Sequence, residues 1–263
     1  MLTEQHLQDY EKLGYFIVDD ALEPGMIEEL RAAARRIETK VRAGAVDLYT
    51  DYHGEGEPYH IVGLNAPEFG EPNFAEYYGC QALLDYVHGQ IGTDIRLGPM
   101  AMFTNPRNEP FNVRWHRDDG LVMDRGEEDE LEYLRRPRTI CRWELAMVDD
   151  IALSIVPGSH LRYRSEREYK AMDKSIHERL PGDLMVDLKA GQTIFWNGDC
   201  LHRAAHTPDR ERLTISTSFQ RYDASEPKSD PGRCAFMLND GAREFLPESL
   251  HLYYDRWASL QQV

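Results

Sequence analysis

From about residue 95 to residue 222 the chain is a succession of short extended segments separated by turn residues, and this pattern limits the fold more than any other feature. Segments 95–104, 113–118, 139–148, 154–156, 184–187, 192–196 and 212–222 read as strands. Many short strands in one stretch favour a sandwich or barrel over a parallel α/β sheet. The 263 residues suffice for one substantial domain with a full core. We read residues 1–263 as one domain with a β core at about 95–222.

The N-terminal part is helical in texture. Thr3 suits the cap of a helix whose apolar positions include Leu7, Tyr10 and Leu13; Gly14 stops it, and 15–18 reads as a short strand. Pro24 suits the first turn of a second helix with the stripe Ile27, Leu30, Ala34, Ile37 and Val41, ended by Gly44. A third helix is expected around 75–90. Residues 45–75, rich in Gly, Pro and Tyr, are expected to form an irregular excursion. The stretch from Asp124 to Arg138, DRGEEDELEYLRRPR, is almost solidly charged. It reads either as a solvated loop or exposed helix, or as a flap following the 113–118 strand.

The formal net charge of −16 argues against a nucleic-acid partner and against attraction to anionic membranes. No apolar run approaches the ~20 residues of a membrane span. The opening MLTEQHLQDYEK lacks the apolar core of a signal peptide, so the cytoplasm is the expected location. Cys80, Cys141, Cys200 and Cys234 form no CxxC pair and read as small buried side chains.

The chemistry is carried by two stretches. In RWHRDDG, 114–120, His116 and Asp118 stand two residues apart, so on an extended strand both leave the same face. They read as two thirds of a divalent-metal site, or as ordinary surface residues. In 191–223 a strand runs to Trp196, turns at Asn197-Gly198-Asp199 and presents His202. Arg212, Thr214, Ser216 and Ser218 then alternate with apolar neighbours, which puts a guanidinium and three hydroxyls on one face. Arginine is the side chain best shaped to grip a carboxylate. Two histidines and one carboxylate on one side of a metal leave positions open, the arrangement of non-haem Fe(II) oxygenases.

The string His116-x-Asp118, then Val156-Pro157-Gly158-Ser159-His160, then Gly191 through His202, then Arg212, resembles the phytanoyl-CoA dioxygenase family of Fe(II)/2-oxoglutarate-dependent oxygenases. The resemblance covers roughly 98–222, with a looser match at Gly14-Tyr15-Phe16 and in the helix at 25–43. It implies a mainly β fold, a double-stranded β-helix (a cupin-like jelly roll) with N-terminal helices packed outside. His116, Asp118 and His202 are then the iron ligands. Arg212 holds the far carboxylate of 2-oxoglutarate with Thr214 as a hydroxyl partner, and O2 is the second cosubstrate. A small-molecule substrate is hydroxylated. Because residue 118 is Asp rather than Gly or Ala, the resemblance does not extend to the related halogenases. The chain departs from the family pattern before the HxD, where Thr104-Asn105-Pro106-Arg107 replaces a Lys-Pro-Pro-like element.

Other polar residues have competing readings. His206 reads as a loop histidine at the cavity mouth, His160 as the fastener of a turn, and His53 and His60 as surface residues. Trp115 should point into the barrel wall, and Trp143 and Trp196 into the core. Arg114 shares the face of His116; turned inward, its charge would want an anionic substrate or a carboxylate. Arg142 and Glu144 alternate with Cys141, Trp143, Leu145 and Met147, and are expected to pair with each other on the outside. Arg114, Asp119 and Arg142 are the candidate substrate contacts. Two readings from other classes stay open: a cupin-like isomerase or hydrolase with no use for Arg212, and a catalytically silent binding protein.

Overall fold

Thr3 opens helix α1 (Glu4–Leu13): its hydroxyl accepts from the His6 N–H while the His6 ring accepts from the Thr3 N–H. Gly14, at φ +88°, donates its N–H to the Tyr10 carbonyl and releases the chain into strand β1 (Tyr15–Val18). Helix α2 (Met26–Arg42) buries Leu30, Ala34, Ile37 and Val41 of the expected stripe. The computed structural model describes all residues except 47, 55, 119–124, 175–177, 207 and 263.

The stretch expected to be irregular contains a hairpin, β2 (Thr50–His53) and β3 (Glu57–Val62). Ile61 and Val62 are fully buried against β4 (Ile95–Phe103), and that burial overrides the weak strand propensity of the surrounding Gly and Pro. The single helix expected at 75–90 is two, α3 (Asn73–Tyr78) and α4 (Gln81–Ile91), divided at Gly79-Cys80.

After β5 (Phe111–Asn112) comes α5 (Glu127–Leu134), then β6 (Ile140–Ala146) and β7 (Leu153–Ile155). Helix α6 (Glu166–Asp173) precedes β8 (Leu184–Met185) and β9 (Thr193–Trp196). The chain closes through β10 (His202–His206), β11 (Thr214–Arg221) and helix α7 (Glu248–Ser259). The sequence reading named neither α6, β10 nor α7.

The strands form two antiparallel sheets, seven in the order β1-β9-β6-β11-β4-β3-β2 and four in the order β5-β10-β7-β8. This is the jelly roll, the double-stranded β-helix. Strand alternation divides the major sheet into two faces. One presents Met100, Met102, Trp143, Leu145, Ile215 and Phe219 to a core shared with α2, α3, α4 and α7. The other presents Ala101, Arg142, Glu144, Ser216 and Ser218 to a cavity. A second apolar cluster, with Ala146, Ile194 and Trp196 from the major sheet and Leu153 and Ile155 from the minor one, bolts the two sheets together beside that cavity.

Residues 113–118 do not form the continuous strand expected of them. β5 ends just before them at Asn112, and within them strand pairing is confined to an isolated bridge at His116. The segment lies at the rim of the minor sheet and is tied at intervals: Val113 N–H to the Ala204 carbonyl, His116 to His202, and Asp118 N–H to the Gly198 carbonyl. Trp115 is fully buried as expected, packed with Val156, Ala171, Met172, Leu180 and Leu201.

Candidate metal centre and its cavity

His116 and His202 are directly opposed across the rim of the minor sheet. Each donates its backbone N–H to the other's carbonyl, at 2.9 and 3.0 Å, and their ring centroids are 4.1 Å apart. The His116 Nδ1 faces the Arg114 carbonyl at 2.7 Å, and the His202 Nδ1 faces the Cys200 carbonyl at 2.9 Å. Both rings are therefore held in the tautomer with Nδ1–H donated to the backbone and an Nε2 lone pair free to bind a cation. Asp118 Oδ1 is 3.3 Å from each Nε2. The three ligand atoms lie within 4.8 Å of one another. Adjacent corners of an octahedron with bonds of about 2.1 Å are about 3 Å apart, so this donor set fits a divalent transition metal with open positions remaining.

The electrostatics agree with that fit. Burial opposes ionisation of Asp118, but His202 and the Arg142 guanidinium outweigh it and hold the carboxyl well below its ordinary range. Burial lowers the His202 pKa and favours the neutral imidazole a metal needs. The other carboxylate oxygen, Oδ2, accepts from Arg142.

The centre opens on a cavity of about 520 Å³. Its walls carry aromatic rings, Tyr59, Phe103 and Phe111, and polar groups that include Asp51, His60, Arg142, Glu144, Ser216, Ser218 and Arg212. Arg212 is buried in the far wall. Its Nε donates to Asp150 Oδ2 at 2.9 Å, its Nη2 stands 3.9 Å from Glu144 Oε2, and its guanidinium lies over the Phe103 ring at 4.8 Å. Thr214, fully buried, donates its hydroxyl to the same Asp150 oxygen. Burial raises the Asp150 pKa, but Arg212 first and Thr214 next reverse this, so Asp150 is a carboxylate fixing the base of the guanidinium.

The remaining site expectations divide. Arg142 lines the cavity, yet both it and Glu144 face inward; the expected mutual pair on the outside is replaced by Arg142 with Asp118 and Glu144 beside Arg212. The reason is the cavity itself: a polar strand face is satisfied by an interior site as well as by water. The Arg114 side chain is exposed and absent from the cavity lining, its backbone carbonyl serving His116 instead. Asp119 lies outside the described residues. His60, read as a surface group, lines the cavity and meets Asp51 at 2.9 Å, whereas His53 packs on Phe111 beside it. Trp196, read as core, also lines the cavity and packs edge-on to His202 at 4.4 Å. His160 fastens a turn as expected, its Nε2 donating to the Glu11 carbonyl at 3.1 Å and its Nδ1 facing Cys200 Sγ at 3.2 Å.

Sequence reasoning missed two supporting groups, Asp150 behind Arg212 and Glu130 behind the HxD segment. Glu130, inside the charged 124–138 stretch, is completely buried and accepts from Arg164. It also faces Arg117, which lies between His116 and Asp118 and donates to the Ser159 carbonyl at 3.0 Å. The run Glu127 to Glu130 gives no hint which of four acids turns inward; only the position of Leu131 and Leu134 on the helix could have suggested it.

Among the solved structures that share this fold are the following three. AviO1 from Streptomyces viridochromogenes Tue57 aligns with a TM-score of 0.62 at 20% identity, covering 87% of this chain and all of its own. EctD from S. alaskensis with 2-oxoglutarate and 5-hydroxyectoine aligns at 0.64 and 17% identity over 84% of this chain and 77% of its own. The epimerase SnoN in complex with Fe3+, alpha ketoglutarate and nogalamycin RO aligns at 0.60 and 18% identity over 90% of both. The family model of phytanoyl-CoA dioxygenase matches residues 10–212, a span that begins inside α1 and ends at the buried arginine. With that match over most of its length, the chain belongs to the phytanoyl-CoA dioxygenase family.

Proposed function

We propose that this protein is an Fe(II)- and 2-oxoglutarate-dependent oxygenase that hydroxylates an unactivated C–H bond of a small polar metabolite. The observation that carries the reading is the convergence of His116, Asp118 and His202 on the wall of a cavity that also holds Arg212. EctD and SnoN, which share the fold, are described with 2-oxoglutarate (alpha ketoglutarate) bound. When bound, the ferrous ion with 2-oxoglutarate and O2 supplies an oxidant able to attack such a bond, with succinate and CO2 as coproducts.

The chain's own residues do the positioning. His116 and His202 offer Nε2 because their Nδ1 atoms are engaged by backbone carbonyls. Asp118 offers one oxygen because Arg142 holds the other. Arg212 grips the far carboxylate of the cosubstrate while Asp150, braced by Thr214, keeps its guanidinium in place. Arg142, beside the open face of the centre, and the Asp51–His60 pair across the cavity give a polar substrate hydrogen-bonding partners. Asp119, outside the described residues, keeps the substrate-binding role proposed for it from the sequence.

Anaerobic titration of the Fe(II)-loaded protein with 2-oxoglutarate should produce a weak visible charge-transfer band. Asp118→Ala should remove both the band and 2-oxoglutarate turnover. Full turnover by that variant would end this reading. A screen of small polar metabolites for stimulated succinate release identifies the substrate, and 18O2 labelling then separates hydroxylation from an epimerase-like outcome. Label in the product supports the hydroxylase; succinate formation with unlabelled product overturns that part.

A further inference from the structure

Among the described residues of the cavity wall, Glu144 is the one acid that the roles above leave unused. It is 4% exposed, it lies on β6 directly across from Ser216 of β11 and Ile194 of β9, and it faces the cavity. Its Oε2 has no hydrogen-bond partner among the described residues. Among the described residues the cation beside it is Arg212, whose Nη2 is 3.9 Å away, too far for a hydrogen bond. That arginine is already matched by Asp150 at 2.9 Å. A buried guanidinium with one ionised carboxylate is neutral; a second carboxylate makes the group anionic. A dicarboxylate cosubstrate brought to the same arginine would add a third. Accumulated like charge in a desolvated wall is unfavourable, and the group relieves it by taking a proton.

We infer that Glu144 is a cosubstrate-contact residue: as the uncharged acid, its O–H donates a hydrogen bond to the far carboxylate held by Arg212, so that binding of the dicarboxylate is coupled to uptake of one proton. The inference rests on the cosubstrate reading of Arg212 proposed above. A carboxylic acid donating to a carboxylate forms a short, charge-assisted bond, and Oε2 is a buried carboxylate oxygen without a donor among the described residues.

The surroundings hold Glu144 near the balance point this coupling needs. Burial pushes its pKa up to about 7; Asp150 and Asp118 push the same way, while Arg212 and Arg142 oppose. Below that value the acid is already protonated and binding moves no proton. Above it each ligand carries a proton in with it, and affinity falls with pH. 2-Oxoglutarate is fully ionised throughout this range.

Isothermal titration of the Fe(II)-loaded protein with 2-oxoglutarate, anaerobic and in buffers of different ionisation enthalpy, tests this. At pH 8 the wild type should take up about one proton per ligand, and Kd should rise about tenfold per pH unit above 7. Glu144→Gln, which keeps the shape and a donor, should bind with no proton uptake and a flat pH profile. Binding by the wild type without proton uptake, or unchanged uptake in Glu144→Gln, overturns the assignment while leaving the cosubstrate reading intact. Absence of 2-oxoglutarate binding by the loaded wild type overturns both.

Discussion

Asp118 and Arg142 meet from different elements so that one carboxylate oxygen is taken and the other left. The guanidinium holds Oδ2, and Oδ1 stands 3.3 Å from both imidazoles. Gly198 permits the approach, since a Cβ there would overlap the Arg142 guanidinium and come within 3.1 Å of the Asp118 Cβ. Groups that orient a metal ligand from behind are worth about 10- to 100-fold in metal affinity. Arg142→Leu should weaken Fe(II) or Mn(II) binding by that factor with little change in Tm. Metal titration of the two proteins checks it, and equal affinities would show that Asp118 needs no such clamp.

Glu130 should matter to stability far more than its acid-rich neighbourhood suggests. It is fully buried and engages Arg164 and Arg117, themselves almost completely buried. Removing one partner of such a cluster leaves uncompensated charge inside, a loss of about 3–5 kcal/mol. Glu130→Ala should therefore lower the urea midpoint sharply, whereas Glu128→Ala, on the exposed side of the same helix, should leave it within about 0.5 kcal/mol. Matching midpoints would count against the buried placement.

Gly14 is required twice over. Its φ of +88° disfavours any side chain, and a Cβ would overlap the Cys200 sulfur and sit 2.9 Å from the His160 Nδ1. Gly14→Val should cost more than about 3 kcal/mol, read as a fall in Tm or as insoluble expression. A stable, soluble Gly14→Val protein would mean that the turn between α1 and β1 is built differently.

The same corner sets an acid limit. Burial, and then the Arg138 and Arg117 charges, push His160 down to about 4. An unfolded histidine protonates near 6.5, so between about pH 6.5 and 4 the unfolded chain binds the proton and the folded one does not. The contribution of this group is complete above pH 6.5 and is lost as the pH falls towards 4, by at most about 3 kcal/mol. Urea midpoints measured from pH 7 to 4 should fall more steeply in the wild type than in His160→Gln. Parallel slopes would remove His160 as the cause.

Much of the centre was legible because its chemistry repeats a short code. The spacing of His116 and Asp118, with His202 and Arg212 downstream, named the residues that now converge, and strands β4, β6 and β9 fall within the segments read as extended. What stayed hidden had physical reasons. Alternation told that Arg142 and Glu144 share a face but not whether that face meets water or a cavity. The β2–β3 hairpin is held by pairing to β4, a distant contact that local propensity does not contain. Glu130 vanished into a run of acids because composition averages over a helix, while burial acts on one side of it.

Arg117 sits between two proposed metal ligands, and its side chain runs the opposite way, into Glu130 and the Ser159 carbonyl. The backbone that presents His116 and Asp118 is thus nailed down from behind by a helix remote from the ion. Damage to that helix would let the ligands drift apart before the β-roll itself came undone, so a bruised molecule should shed its iron while still looking folded.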